Sequence, residues 1–181
     1  MKSPYRPKVD LSGFWKFKLD PRDEGEKEGW FKGFSSNDVA YVPSSWNEQN
    51  PLWDGYEGVA WYSTRFYVPE SLEGKLAWLI FKGAGYYTKV WLNGVLLGEH
   101  EGSFTQFKLD ATSAVRFGEY NLLVVRVDNR VALDRLPPGL SINRTAFDFL
   151  QYGGSTGRPT WSSPSAAISK LSLSKPTTRA R

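Results

Sequence analysis

The chain has 181 residues, 40% hydrophobic and 23% charged, which suits one folded domain with at most a tail and argues against a wholly disordered chain. There is no cysteine and one histidine, so disulfides, thiolate metal sites and His-based zinc clusters are excluded. The formal net charge of +4 lies in the stretch from Thr160 onward, where Lys170, Lys175, Arg179 and Arg181 stand without an acid. Residues 1–159 are therefore neutral, and the field needed to hold nucleic acid is missing from the body of the chain. No apolar run approaches the ~20 residues of a membrane helix, and Met1–Pro7 has no signal-type apolar core. The plain expectation is a cytoplasmic protein without nucleic-acid or membrane partners.

In chain order, Glu24–Trp30 can make one short helical turn, and no segment sustains a helical period. Ala60–Val68 is rich in aromatic and β-branched residues and ends at Pro69, as a strand would. Leu76–Phe81 and Tyr86–Leu92 follow as further strands, separated by Gly83 and Gly85. Asn93-Gly94 then predicts a tight hairpin into Val95–Glu99, because both turn positions need positive φ. His100, between Gly98 and Gly102, reads as a turn histidine bonded to backbone. Phe104–Leu109 alternates apolar with polar, and Tyr120–Asp128 places Leu122, Val124 and Arg126 on one face and Leu123, Val125 and Val127 on the other. Strands at this spacing predict an all-β sandwich. Leu133–Gly139 reads as a loop, Phe147–Tyr152 is aromatic again, and the Ser/Thr-rich residues 160–181 read as a poorly ordered basic tail beyond a domain of residues 1–159.

No glycine-rich phosphate loop occurs, and no cofactor or metal is expected. Asn47-Glu48 looks like an acid/base pair for glycoside cleavage. A strand-end carboxylate of that kind belongs to a (β/α)₈ barrel, which needs ~250 residues, so the pair reads as a decoy. Of the eight tryptophans, Trp15, Trp30, Trp61, Trp78 and Trp91 are expected in the core. Trp46 and Trp53 lie in a Pro/Asn/Gly-rich loop, where packing and surface contact are both open. Asn143-Arg144-Thr145 matches a glycosylation sequon, a short motif that recurs by chance.

Several motifs together resemble one family. They are Leu11-Ser12-Gly13-Phe14-Trp15-Lys16-Phe17, Val42-Pro43-Ser44-Ser45-Trp46-Asn47, Gly58–Phe66, and Lys89-Val90-Trp91-Leu92-Asn93-Gly94 with Gly98, His100, Gly102, Phe104, Phe107 and Asp110. Asn121–Asn129 follows with its alternating valines. The chain resembles the amino-terminal sugar-binding domain of family 2 glycoside hydrolases, most like the β-glucuronidase members, over residues ~10–159. The resemblance implies a jelly-roll β-sandwich of the galactose-binding type, a non-catalytic part of a β-glycosidase acting in carbohydrate metabolism, with the catalytic barrel elsewhere. Phe147-Asp148-Phe149-Leu150-Gln151-Tyr152-Gly153-Gly154 resembles the β-glucuronidase segment whose aspartate contacts sugar hydroxyls, so Asp148 is the substrate-binding residue implied, effective only with a barrel present. No catalytic residue is implied for the chain itself. After Gly154 the sequence departs from the family pattern, which implies a truncated or frame-disrupted product or a stand-alone domain. The alternatives are a lectin-like carbohydrate-binding module or an inactive relic. The partners implied are a β-glucuronide or β-galactoside and either a separate barrel chain or a second copy covering Phe147–Tyr152.

Overall fold

The computed structural model describes residues 7–103, 105–130 and 167–174, with backbone alone for 167–170. Within these, ten strands form two sheets: β1 Lys8–Asp10, β2 Gly13–Asp20, β3 Val39–Val42, β4 Val59–Val68, β5 Leu76–Gly83, β6 Tyr87–Leu92, β7 Val95–Glu101, β8 Phe107–Asp110, β9 Glu119–Asp128 and β10 Ala167–Ser174. One sheet runs β1-β10-β5-β8, the other β3-β2-β4-β9-β6-β7. From β4 onward the chain passes repeatedly between the two sheets, which is how a jelly-roll sandwich is wound. Among the described residues no helix is long and apolar enough to cross a membrane.

Period-two alternation decides what each sheet buries. Trp15 and Phe17 of β2, Tyr62 and Phe66 of β4, Leu79 and Phe81 of β5, and Leu123, Val125 and Val127 of β9 all point into the space between the sheets. The split of β9 into two faces is the one its sequence predicts. Trp46 and Trp53, left open by the sequence, are both core: their rings lie 6.1 and 4.4 Å from Phe17. Trp30 and Trp78, expected in the core, are only half-buried, and each has a lysine over its ring, Lys18 at 3.5 Å and Lys108 at 5.1 Å. At these two positions a cation–π contact takes the place of burial.

The larger sheet also carries a second, outer cluster. Val59, Trp61, Trp91 and Val124 are covered by the excursion between β2 and β3, which supplies Trp30, Phe31 and Phe34. The Glu28 N–H donates to the Glu24 carbonyl at 2.9 Å, so the expected helical turn forms here and continues into a 3-10 turn at Trp30–Lys32. Gly25 is required by close approach: a methyl group there would lie 2.6 Å from the Trp61 indole nitrogen. Asn93 and Gly94 make the predicted hairpin at φ 52° and 82°.

Two expectations are corrected. His100 is not a turn residue. It lies within β7, its ring stacked on Phe107 at 3.9 Å and its Nε2 3.1 Å from the Thr105 hydroxyl. Nor do residues 160–181 all lie outside the domain. Residues 167–174 form β10, an interior strand between β1 and β5, with Leu171 and Leu173 fully buried. The serine count masked a strand in which Leu171 and Leu173 alternate with Ser172 and Ser174. The remainder of that stretch lies outside the described residues.

Candidate functional site

One end of the sandwich gathers the two boundaries of the long excursion 131–166. The strand registers place Asp20 opposite Val59, Val59 opposite Asp128, Asp128 opposite Tyr87, and Ala167 opposite Gly83. The end of β2, the start of β4, the end of β9, the start of β6, the end of β5 and the start of β10 therefore share a single rim. Arg130 and Ala167, the described residues on either side of 131–166, both lie at this rim.

The departure point is fixed by polar contacts, buried at Asn129 and Asp128 and partly exposed at Asp23 and Arg130. Asn129, fully buried, accepts from the Gly58 N–H at 2.7 Å and donates to the Tyr56 carbonyl at 3.1 Å. Arg130 grips Asp128 through Nε and Nη2, at 2.9 and 2.7 Å, and reaches Asp23 at 2.8 Å. Arg126 donates to both Asp23 carboxylate oxygens, at 2.6 and 2.8 Å. The excursion between β2 and β3 is thus tied to the last turn of β9 by two arginines and two aspartates. Bidentate pairing of this kind fixes orientation as well as charge.

The charges shift accordingly. Burial works to raise the Asp23 pKa, but hydrogen bonds and charge from Arg126 and Arg130 outweigh it and hold the carboxyl below its usual range. The Arg130 guanidinium is pushed further up, chiefly by its hydrogen bond to Asp128. Burial and the nearby Asp20 push the Tyr56 hydroxyl up to about 12. Burial against Phe107 lowers the pKa of His100. A carboxyl whose folded pKa is depressed stabilises the fold above its unfolded pKa, about 3.9, and that contribution disappears as pH falls through the folded value. Asp23→Asn should therefore be less stable than the parent at neutral pH, and its stability should fall less steeply with acid, because the parent alone loses this contribution as pH drops through the lowered Asp23 pKa; urea melts across the acid range would read both effects.

Asp148 and the segment Phe147–Tyr152 lie outside the described residues. Asn47, of the Asn47-Glu48 pair, is a packing residue. Its side-chain amide donates to the carbonyls of Trp53, at 3.0 Å, and Tyr56, at 3.4 Å, while Glu48 is exposed. Among the described residues no group of three His, Cys, Asp or Glu side chains could hold a metal ion. The sequence reading singled out neither the Asp23–Arg126–Arg130–Asp128 cluster nor the surface cleft of about 720 Å³ on the outer face of the larger sheet, lined by Phe14, Lys16, Lys32, Phe34 and Arg65 among others. Asp23 and Arg126 are 103 positions apart, and no local pattern joins them.

The family described as glycosyl hydrolases family 2, sugar binding domain, matches residues 9–154. A β-glucuronidase from Paenibacillus borealis is 35% identical over 133 residues, 72% of this chain and 22% of that protein. A β-galactosidase from Thermoanaerobacter pseudethanolicus is 35% identical over 102 residues, 56% of this chain and 13% of that protein. Among solved structures, β-glucuronidases from Ruminococcus gnavus and Lactobacillus rhamnosus superpose with TM-scores of 0.81 and 0.80, at 28% and 31% identity. Each match covers 98% of this chain and 30% of the solved one, so the chain spans less than a third of these relatives. The part it spans is the non-catalytic domain. From its motifs, its sandwich and the matched span, the chain belongs to the sugar-binding domain family of the family 2 glycosyl hydrolases.

Proposed function

We propose that the domain serves a β-glycosidase of the β-glucuronide or β-galactoside class by presenting the excursion 131–166, with Asp148, at the edge of a catalytic site furnished by a separate barrel. The observation that carries this is the clamp at the segment's departure, where buried Asn129 and the Asp23–Arg126–Arg130–Asp128 cluster fix the backbone in orientation. A rigid root is what a segment needs if one of its carboxylates is to meet a sugar hydroxyl made available by another domain. Asp148 falls inside the matched span 9–154, which supports carrying over its role from the resemblance. The partner completing the site is a barrel, in a separate chain or in further sequence, and a second copy is the other partner the Phe147–Tyr152 sequence would accept. A cytoplasmic setting accords with a cysteine-free chain.

The purified chain should show no turnover of a chromogenic β-glucuronide or β-galactoside. Exchanged for the matching domain of the Paenibacillus borealis β-glucuronidase, it should support β-glucuronide hydrolysis. Asp148→Asn in that chimera should cut kcat/KM by about 30-fold, the cost of one lost charged hydrogen bond to a hydroxyl. Turnover that tracks the isolated chain, or an Asp148→Asn chimera as active as its parent, would refute the reading.

A further inference from the structure

The cleft on the outer face of the larger sheet is built differently from the rim and lies away from it. Phe14 and Lys16 leave β2 on the same side, and Arg65 leaves β4 on the side that also carries Trp61 of the outer cluster. The registers set Phe14 opposite Tyr41, Lys16 opposite both Val39 and Ser63, and Arg65 opposite Leu122. The excursion covering the outer cluster stops short of these positions, so Lys32 and Phe34 form one wall of the cleft and the bare sheet forms its floor. Gly33 brings the wall close: a methyl group there would lie 3.4 Å from Leu122.

The chemistry of this surface is one-sided. Among the described residues, Lys16, Lys32 and Arg65 line it and no acid does. Among the described residues no carboxylate lies within ion-pair distance of any of the three, although Lys89, Arg126 and Arg130 on the same sheet all have acidic partners. Three cations gathered in one concavity without a counter-charge make an anion site. Phe14, 73% exposed, packs T-shaped with Tyr41 at a centroid distance of 5.3 Å and offers an aromatic surface for an apolar face to lie on. A flat ligand with one apolar face, hydroxyls at its edge and a carboxylate fits this combination, and about 720 Å³ is in the range of small-ligand sites.

We propose that this cleft binds an anionic saccharide, a uronate-bearing chain of two or three rings, with its carboxylate between Arg65 and Lys16 and a pyranose face on Phe14. The choice of a saccharide among possible anions rests on the family description, while the choice of an anionic one rests on three cations that have no acidic partner among the described residues. The site is separate from the rim and needs no barrel.

Amide chemical shifts of the full chain should be followed on adding a galacturonate trisaccharide, maltotriose, and an oligothymidylate of equal charge. The uronide should move the amides of Phe14, Lys16 and Arg65 with a Kd of about 1 mM, and salt should weaken the binding. Arg65→Gln and Phe14→Ser, both at exposed positions, should each weaken it by about tenfold with unchanged far-ultraviolet circular dichroism. Shifts confined to residues 128–130 would sink the cleft while leaving the rim's proposed role intact. Equal binding of maltotriose would remove the role of charge, and equal binding of the oligothymidylate would make the groove a non-selective polyanion surface; either overturns the proposal. So would the absence of any shift at about 10 mM uronide.

Discussion

Removing residues 160–181 should lower the melting temperature by more than about 10 °C or leave the chain unfolded. Strand β10 sits inside the smaller sheet, pairing Leu171 with Val9 on one side and with Leu79 on the other. Its loss exposes the hydrogen-bonding edge of β5, leaves β1 without a sheet to join, and empties the volume filled by Leu171 and Leu173, both fully buried. Leu171→Ala alone should cost about 2–5 kcal/mol, or about 5–15 °C for a chain of this size. Thermal denaturation followed by circular dichroism would test both changes. A truncated chain melting within a degree or two of the parent would show that the sheet does without β10, as the composition of the tail first suggested.

The strands that the sequence made legible are those whose neighbours in the chain carry the information. Alternation in Tyr120–Asp128 and the Asn93-Gly94 turn are local signals, and both correspond to the observed elements. The family motifs turn out to be largely stitching. The Trp15 indole donates to the Leu11 carbonyl at 2.8 Å, and Asn93 accepts from the Leu122 N–H and donates to Asn121. Asn129 ends the same motif by holding Gly58. Such residues are readable because each must satisfy buried backbone groups at a set place in the fold.

What escaped notice depended on partners far away in the chain. β10 has few large residues of its own, and it is a strand because β5 and β1 offer it two edges. The ion-pair cluster at the rim required knowing that the turn after β2 folds back over the end of β9. The cleft needed the strand registers, since Phe14, Lys16 and Arg65 become neighbours only when β2 pairs with β4. Single lysines and arginines in strands ordinarily read as solvated surface, and the lack of nearby acids among the described residues distinguishes these.

Asp20→Ala should be among the most damaging single substitutions outside the core. The carboxylate is 4% exposed and accepts three hydrogen bonds, from the Glu24 N–H at 3.0 Å, the Gly25 N–H at 2.8 Å and the Trp61 indole N–H at 2.9 Å. Alanine leaves these donors without a partner in a space too closed for water to replace it freely, at about 4 kcal/mol in total. At the usual conversion for this chain length that is about 10 °C in melting temperature. Asn retains one acceptor oxygen and turns an amide N–H₂ toward the remaining donors, so Asp20→Asn should recover only part of the loss, to about 2 kcal/mol. The damage should also be directional. Asp20 anchors the excursion that supplies Asp23 to the rim and Lys32 and Phe34 to the cleft, so both surfaces should loosen together. Hydrogen exchange should then quicken at Gly29–Gly33, whose turn is closed by the Lys32 and Gly33 N–H groups, before it quickens in β4 or β9. An Asp20→Ala protein that melts within about 2 °C of the parent, or one whose exchange rises evenly over both sheets, would mean that the excursion is held by its aromatic packing on Trp61 and Trp91 and not by this carboxylate.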